Sequence, residues 1–146
     1  RAPRPARARG ISTALAVEAD QTAIATCAAQ GLKVTALTID SDGVPIALIS
    51  GDGAATITQR IASGKAETAL KTKMTSGEAV ERAKTDQPFM AQLMADPAMG
   101  PPRKGGVPIN VGGEVIGAIA VSGAPSGDQD EPCAKAGLAK IQDRIH

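Results

Sequence analysis

The spacing of hydrophobic residues divides the first third of the chain into one helix and one pair of strands. Between Ser12 and Gln30, apolar residues recur at near-helical spacing behind a capping hydroxyl, which predicts a first helix. Apolar and polar residues then alternate over 33–40 and 44–50, which predicts two strands. The Asp-Gly step in DSDG, between them, is typical of a tight hairpin turn, so the two strands are expected to be antiparallel.

The rest of the chain repeats this scheme with more helices. Helical spacing over 57–74, 76–85 and 88–97 predicts three helices. Two prolines and glycines exclude regular structure from the following loop, AMGPPRKGG. Strands are predicted at 106–111 and 114–122, joined by a Gly-Gly turn, and a last helix at 133–145. Asp130 is interpreted as the cap of that helix, with Pro132 near its first position.

The order helix, hairpin, helices, hairpin, helix predicts an α+β domain with a largely antiparallel sheet of four to five strands. Residues 12–146 are assigned to this single domain. Residues 1–11, which begin RAPRPARARG, are interpreted as a disordered Arg/Pro-rich arm. The chain does not begin with Met, which fits either a shortened chain or a secretory precursor whose signal peptide has been removed.

Composition excludes two classes of partner. The chain has one Phe, no Tyr and no Trp, so the rings on which nucleic-acid modules stack bases are almost absent, and the formal net charge is only +1. No apolar run approaches the roughly 20 residues that span a bilayer. Neither a nucleic acid nor a membrane span is therefore expected.

Few side chains are suited to catalysis or to metal binding. The single histidine is the terminal His146, and no glycine cluster has the spacing of a phosphate-binding loop. Lys65 lies on the same helical face as Ile61 and Ala69, so its ammonium either extends past the core to solvent or points into a pocket. No catalytic residue is assigned. The acidic cluster at 128–131 is interpreted as a helix cap, with a hard-cation site as the alternative.

Two cysteines stand 106 positions apart, near the end of the first predicted helix and at the start of the last. Cys27 and Cys133 have no zinc-type spacing. They are either buried as small apolar residues or joined in a disulfide that ties the terminal helices together. A disulfide would imply an oxidising compartment.

The motifs KVTALTIDSDGVPIALISGDGA, KAETA, GGVPINVGGEVIGAIAVSGA and GDQDEPCAKAGLAKI occur in this order, and together they resemble the GlcG/HbpS family over nearly the whole chain from residue 12. The resemblance implies a profilin-like fold and assembly into a homo-oligomer. The cysteine pair is similar to that of exported members, which supports the disulfide and a periplasmic or secreted location.

The resemblance also makes haem a possible ligand, because the family includes extracytoplasmic haem-binding proteins. An axial ligand would have to come from a methionine or from a weak oxygen ligand such as Thr56 or Thr68. Gly105, Gly106 and Pro108 are predicted to border the pocket. The leading hypothesis is a non-catalytic small-molecule-binding protein.

Two alternatives stay open. The first is an enzyme acting on a small hydroxy or oxo acid, with Lys65 as anion anchor or acid/base and the N–H groups of Gly105 and Gly106 holding an oxygen. The second is an oligomeric assembly module with a methionine-rich interface in residues 88–102.

Overall fold

The computed structural model describes residues 8–146, and one four-stranded sheet organises them. All neighbouring strands are antiparallel, and their order across the sheet is β2-β1-β4-β3. The strands are β1 (Thr35–Asp40), β2 (Pro45–Ser50), β3 (Gly106–Val111) and β4 (Glu114–Ser122). Each hairpin keeps its strands adjacent, and the pairing of β1 with β4 joins the two hairpins into one sheet.

Five helices surround the sheet, and none of those within residues 8–146 is both long and apolar enough to cross a membrane. They are α1 (Thr13–Ala28), α2 (Thr58–Thr72), α3 (Ser76–Thr85), α4 (Gln87–Ala95) and α5 (Gly127–Ile141). A short 3₁₀ turn, Gln142–Arg144, follows α5. The α+β class, the two hairpins and the order of elements predicted from the sequence are confirmed.

The predicted start of the last helix is wrong. The helix α5 begins at Gly127, six residues earlier than predicted, so Pro132 lies inside it and Ser126 precedes it as the capping residue. Asp130 does not cap the helix, because its carboxylate is buried in an ion pair with Lys65. The contacts of Asp130 with Lys65 and with the backbone N–H of Ala124 connect this first part of α5 to α2 and to the loop after β4.

One face of the sheet is covered by α1 and α5, which pack on each other and on a cluster of apolar side chains. The predicted disulfide between Cys27 and Cys133 is present, with Cα atoms 5.7 Å apart and both residues fully buried. It connects the end of the first helix to the last helix within this layer.

The opposite face is covered by α2, which presents Ala62, Ala66 and Ala69 to the sheet. Such small side chains let a helix approach closely. One such close approach is at β3, where a Cβ atom at Gly106 would overlap the carbonyl oxygen of Lys65. Glycine at this position is therefore required by the contact between α2 and the edge strand.

The chain before α1 is bound to the hairpin turns. The backbone N–H of Arg9 donates to the Ser41 hydroxyl at 2.8 Å, and the Ser41 N–H donates to the Arg9 carbonyl at 2.8 Å. The Arg9 guanidinium also pairs with Glu114, the first residue of β4 after the second hairpin turn. Residues 1–7, the greater part of the arm predicted at 1–11, lie outside the described residues, so their disorder stays a prediction.

A carboxyl group lies in the core between α1 and the sheet. Asp20 is fully buried; its Oδ1 accepts a hydrogen bond from the Thr38 hydroxyl at 2.8 Å, and its Oδ2 has no partner among the described residues. Burial raises the pKa of Asp20 from 3.8 to about 7, and the bond from Thr38 only partly offsets this. At neutral pH the fold therefore holds this group close to its titration midpoint.

This burial predicts a pH dependence of stability. The unfolded chain ionises Asp20 near its ordinary pKa, whereas the folded chain retains the proton up to about pH 7, so the free energy of unfolding falls as the pH rises from about 4 to about 7. In Asp20→Asn this component disappears, and the loss of stability between about pH 5 and about pH 8 should shrink by on the order of 2 kcal/mol. Urea unfolding at the two pH values measures it. Asp42→Asn, in the exposed turn, should behave as wild type, and an unchanged profile in Asp20→Asn would contradict the assignment.

The disulfide predicts a large dependence of stability on oxidation. Because it closes a loop over a sequence separation of 106 residues, the chain-entropy account gives a contribution of about 4–5 kcal/mol. The double variant Cys27→Ala/Cys133→Ala should therefore unfold at a clearly lower urea concentration and temperature. The control is the same variant with and without a thiol reductant, which should behave identically. A wild-type chain whose stability does not respond to reduction would contradict the bridge as a stabilising link.

Candidate functional site

A cleft of about 970 Å³ opens between α2, the first turns of α3 and the start of α5. Two loops complete its walls, residues 102–104 before β3 and residues 124–126 after β4. Its size is within the range of small-molecule and cofactor sites. The cleft is rich in charged side chains of both signs, which are Lys65, Glu78, Glu81, Lys84, Arg103, Lys104, Asp128, Asp130, Glu131 and Lys135.

A buried ion pair lies at the cleft. The Lys65 ammonium donates to Asp130 Oδ2 at 2.8 Å and to the Val121 carbonyl at 2.9 Å, and the exposed fractions of the Lys65 and Asp130 side chains are 4% and 3%. The second carboxylate oxygen of Asp130 accepts from the backbone N–H of Ala124 at 3.0 Å. One side chain of α5 thus fixes both the lysine of α2 and the loop that follows β4.

The environment disfavours the charged form of Lys65. Burial lowers the pKa of its ammonium, the hydrogen bond and the charge of Asp130 oppose this, and the nearby charge of Arg103 lowers the pKa further. Arg103 itself is exposed and forms no ion pair with any of residues 8–146. This end of the cleft therefore carries an excess of positive charge.

A glycine makes room for this lysine. Gly105 has a φ of +139°, and a Cβ atom there would lie 2.8 Å from the Lys65 nitrogen. A side chain at this position would therefore be strained by the backbone and would also displace the ammonium. The absence of a side chain at Gly105 thus leaves the space that the Lys65 ammonium occupies.

A second carboxylate, that of Glu131, occupies the wall next to α3. Its Oε2 lies 3.3 Å from the Lys135 ammonium and 4.0 Å from that of Lys104. Its Oε1 is buried and has no hydrogen-bond partner among the described residues. Oε1 faces Gly77, the second residue of α3, where a Cβ atom would lie 2.9 Å away. The wall thus presents a carboxylate oxygen whose hydrogen-bonding capacity is unused.

Each carboxylate of the acidic cluster at 128–131 has a lysine beside it. Asp128 accepts from Lys104 at 2.8 Å, Asp130 pairs with Lys65, and Glu131 lies beside Lys135. In residues 8–146, no group of three or more His, Cys, Asp or Glu side chains is arranged to hold a metal ion. The alternative of a hard-cation site at this cluster has no geometric support.

Only some of the site residues predicted from the sequence lie at the cleft. Lys65 lines the cleft, and Gly105 and Gly106 lie directly behind it. The N–H of Gly106 donates to the buried hydroxyl of Ser76 at 2.8 Å, so it is already used within the fold.

The other predicted residues do not line the cleft. Thr68 is buried one turn further along α2 and donates to the Gly64 carbonyl, Pro108 is buried in β3, and Thr56 is exposed before α2. Their binding roles stay predictions. Sequence reasoning did not assign Arg103 to the site, and it interpreted Asp130 and Glu131 as capping residues.

The cleft fits only part of a haem group. Arg103 suits a carboxylate of haem, whereas each lysine of the cleft already lies beside a carboxylate. No His, Cys, Met or Tyr is among the described residues that line the cleft. Met74 and Met99 line a separate cavity of about 340 Å³ beside α4. The residues present therefore offer the iron no axial ligand of the usual kind in the cleft.

Solved structures of other proteins superimpose on nearly the whole chain. The chain superimposes on the crystal structure of HbpS with a TM-score of 0.85 and 28% identity, over 97% of this chain and 99% of that one. A double mutant of HbpS from Streptomyces reticuli superimposes with a TM-score of 0.82 and 30% identity, over 97% of this chain and 99% of that one. A PduOC:heme complex superimposes with a TM-score of 0.79 and 21% identity, over 90% of this chain and 95% of that one. At this identity the likeness supports the fold alone.

Among curated protein sequences, none matches the chain. The family described as "Haem degrading protein HbpS-like" matches residues 11–139, which is most of the sequence. The family predicted from the sequence motifs is confirmed, and the chain belongs to the HbpS-like (GlcG/HbpS) family.

Proposed function

We propose that this chain is a non-catalytic small-molecule-binding protein whose ligand occupies the cleft between α2, α3 and α5. The observation that carries the proposal is the cleft of about 970 Å³ with the buried pair of Lys65 and Asp130 and, beside it, Arg103, which has no ion-pair partner within residues 8–146. A buried titratable pair with a shifted lysine pKa at a cleft is an arrangement that binding sites often contain, which supports the proposal.

Haem is the candidate that the relatives supply. The names of the family and of a structural neighbour refer to haem, and the cleft offers cations for an acidic ligand. Because the cleft provides no usual axial ligand, we propose that any porphyrin is held through its carboxylates and not through the metal. Haem and metal-free protoporphyrin should then bind with similar affinity.

The test is a titration of the protein with haem and with metal-free protoporphyrin, followed by Soret absorption and porphyrin fluorescence. Both should saturate at micromolar protein. Arg103→Glu should weaken both by about tenfold or more, because it replaces an attraction for the ligand carboxylates with a repulsion. Lys140→Glu, an equal charge reversal on an exposed residue outside the cleft, is the control and should bind as wild type.

Either of two outcomes would contradict the proposal as it concerns porphyrins. Absence of a saturable change would remove them as ligands. Equal affinities in Arg103→Glu and Lys140→Glu would move the binding site away from the cleft.

We also propose that the protein acts outside the cytoplasm and assembles as a homo-oligomer. The disulfide between Cys27 and Cys133 supports an oxidising compartment, and the family resemblance supports assembly. Native mass spectrometry of the oxidised protein reports the disulfide and the number of subunits together, and a monomer would overturn the second part.

A further inference from the structure

The two edges of the sheet differ in how well they are protected. At the β3 edge, Pro108 lies within the strand and cannot donate a backbone hydrogen bond, and the first four residues of the strand are buried. At the β2 edge, the only proline is Pro45, the first residue, and no residue of the strand is buried. The β2 edge therefore offers a row of accessible backbone groups with which another strand can pair.

Most features that prevent edge strands from pairing are missing from β2. A shift of register with β1 at Ile46 forms one bulge, and beyond it the strand is regular from Ala47 to Ser50. The sequence of the strand, PIALIS, contains no charged side chain. Within residues 8–146, the backbone groups of 45–49 form hydrogen bonds only with β1. An uncharged edge of this kind associates with another chain unless something covers it.

Most of the exposed large apolar side chains lie beside this edge. In residues 8–146, the exposed large apolar residues are Val44, Leu48, Ile57 and Met94. Val44 directly precedes β2, and Leu48 lies within it. Ile57 directly precedes α2, whose Gln59 donates a hydrogen bond to Ser50 at the end of β2. Exposed apolar side chains grouped in this way indicate an interaction surface.

The charges at the two ends of β2 determine how a second copy of the chain fits this edge. Asp42 lies in the turn before β2, and Asp52 lies at the opposite end together with Lys33, whose side chain passes beside Gly53. None of the three charged groups forms an ion pair within residues 8–146. A parallel alignment of two β2 edges would place Asp42 beside Asp42, whereas an antiparallel alignment places it at the end that carries Lys33.

We propose that two copies of this chain pair through their β2 edges, antiparallel and about a two-fold axis at Leu48. The two four-stranded sheets then form one continuous sheet, and the exposed leucine of each copy lies against that of its partner. A second copy fits better than an extended peptide, because an identical edge supplies both the matching apolar side chains and the matching charges at the ends. This pairing specifies the interface of the proposed homo-oligomer, on which it rests.

The substitution Leu48→Lys should break the pairing. It places two ammonium groups opposite each other at the axis, and lysine is a residue by which natural edge strands avoid association. The molar mass of the full chain, measured by light scattering after size-exclusion chromatography, should fall to half of the wild-type value or less, because a two-fold contact joins copies in pairs. Met94→Lys, the same change at the exposed methionine of α4, is the matched control and should keep the wild-type mass.

A cross-linking variant tests the same contact without adding a charge. Cys27 and Cys133 are joined in a buried disulfide, so Leu48→Cys introduces the reactive thiol of each copy. Treatment with a short bismaleimide should join two chains at the axis and give a covalent dimer, and nothing larger, on a denaturing gel. Met94→Cys, treated in the same way, should remain a single chain. Circular dichroism of each variant checks that it is folded.

The outcomes separate the interface from the assembly itself. If the wild type is oligomeric but Leu48→Cys gives no covalent dimer, or folded Leu48→Lys keeps the wild-type mass, the β2 interface is wrong and the homo-oligomer stands. Loss of mass in Met94→Lys alone would move the interface to the methionine-rich segment 88–102. A monomeric wild type would overturn the homo-oligomer and the interface together, while the binding role of the cleft would still be decided by the porphyrin titration.

Discussion

The contact between Lys65 and Asp130 is the interaction on which the arrangement of this molecule depends. It joins α2, on one side of the sheet, to the first turn of α5, and through Ala124 it fixes the loop that leaves β4. Removing either partner would leave the other charge buried and uncompensated, at a cost of about 3–5 kcal/mol. The pair therefore fixes two walls of the cleft, α2 and the start of α5, to each other.

Much of the fold could be predicted because its determining features are local. The strands β3 and β4 were predicted at their observed bounds, since a Gly-Gly turn separates two apolar runs and fixes the register between them. The strand order was not predicted, because β1 pairs with β4 across more than half of the chain and no short-range pattern specifies that partner.

The candidate site was predicted only in part, for a related reason. The position of Lys65 on an apolar helical face showed that its charge needed a partner, but local sequence does not identify that partner among 15 acidic residues. Asp130, followed by Glu131 and Pro132, has the composition of a helix start, so the local sequence predicts a cap there. The helix instead begins more than one turn earlier, at Gly127, and Asp130 pairs with Lys65 of α2, a partner that local sequence does not specify.

The disulfide has a consequence for the integrity of the chain after damage. Cys27 and Cys133 enclose the entire sheet, the helices α2 to α4 and the proline-rich loop before β3 in one covalent ring. A single proteolytic cut in that loop would leave two segments that remain one molecule, with both walls of the cleft still attached. Such a nicked protein would migrate as intact in a non-reducing gel and separate into two fragments only after reduction.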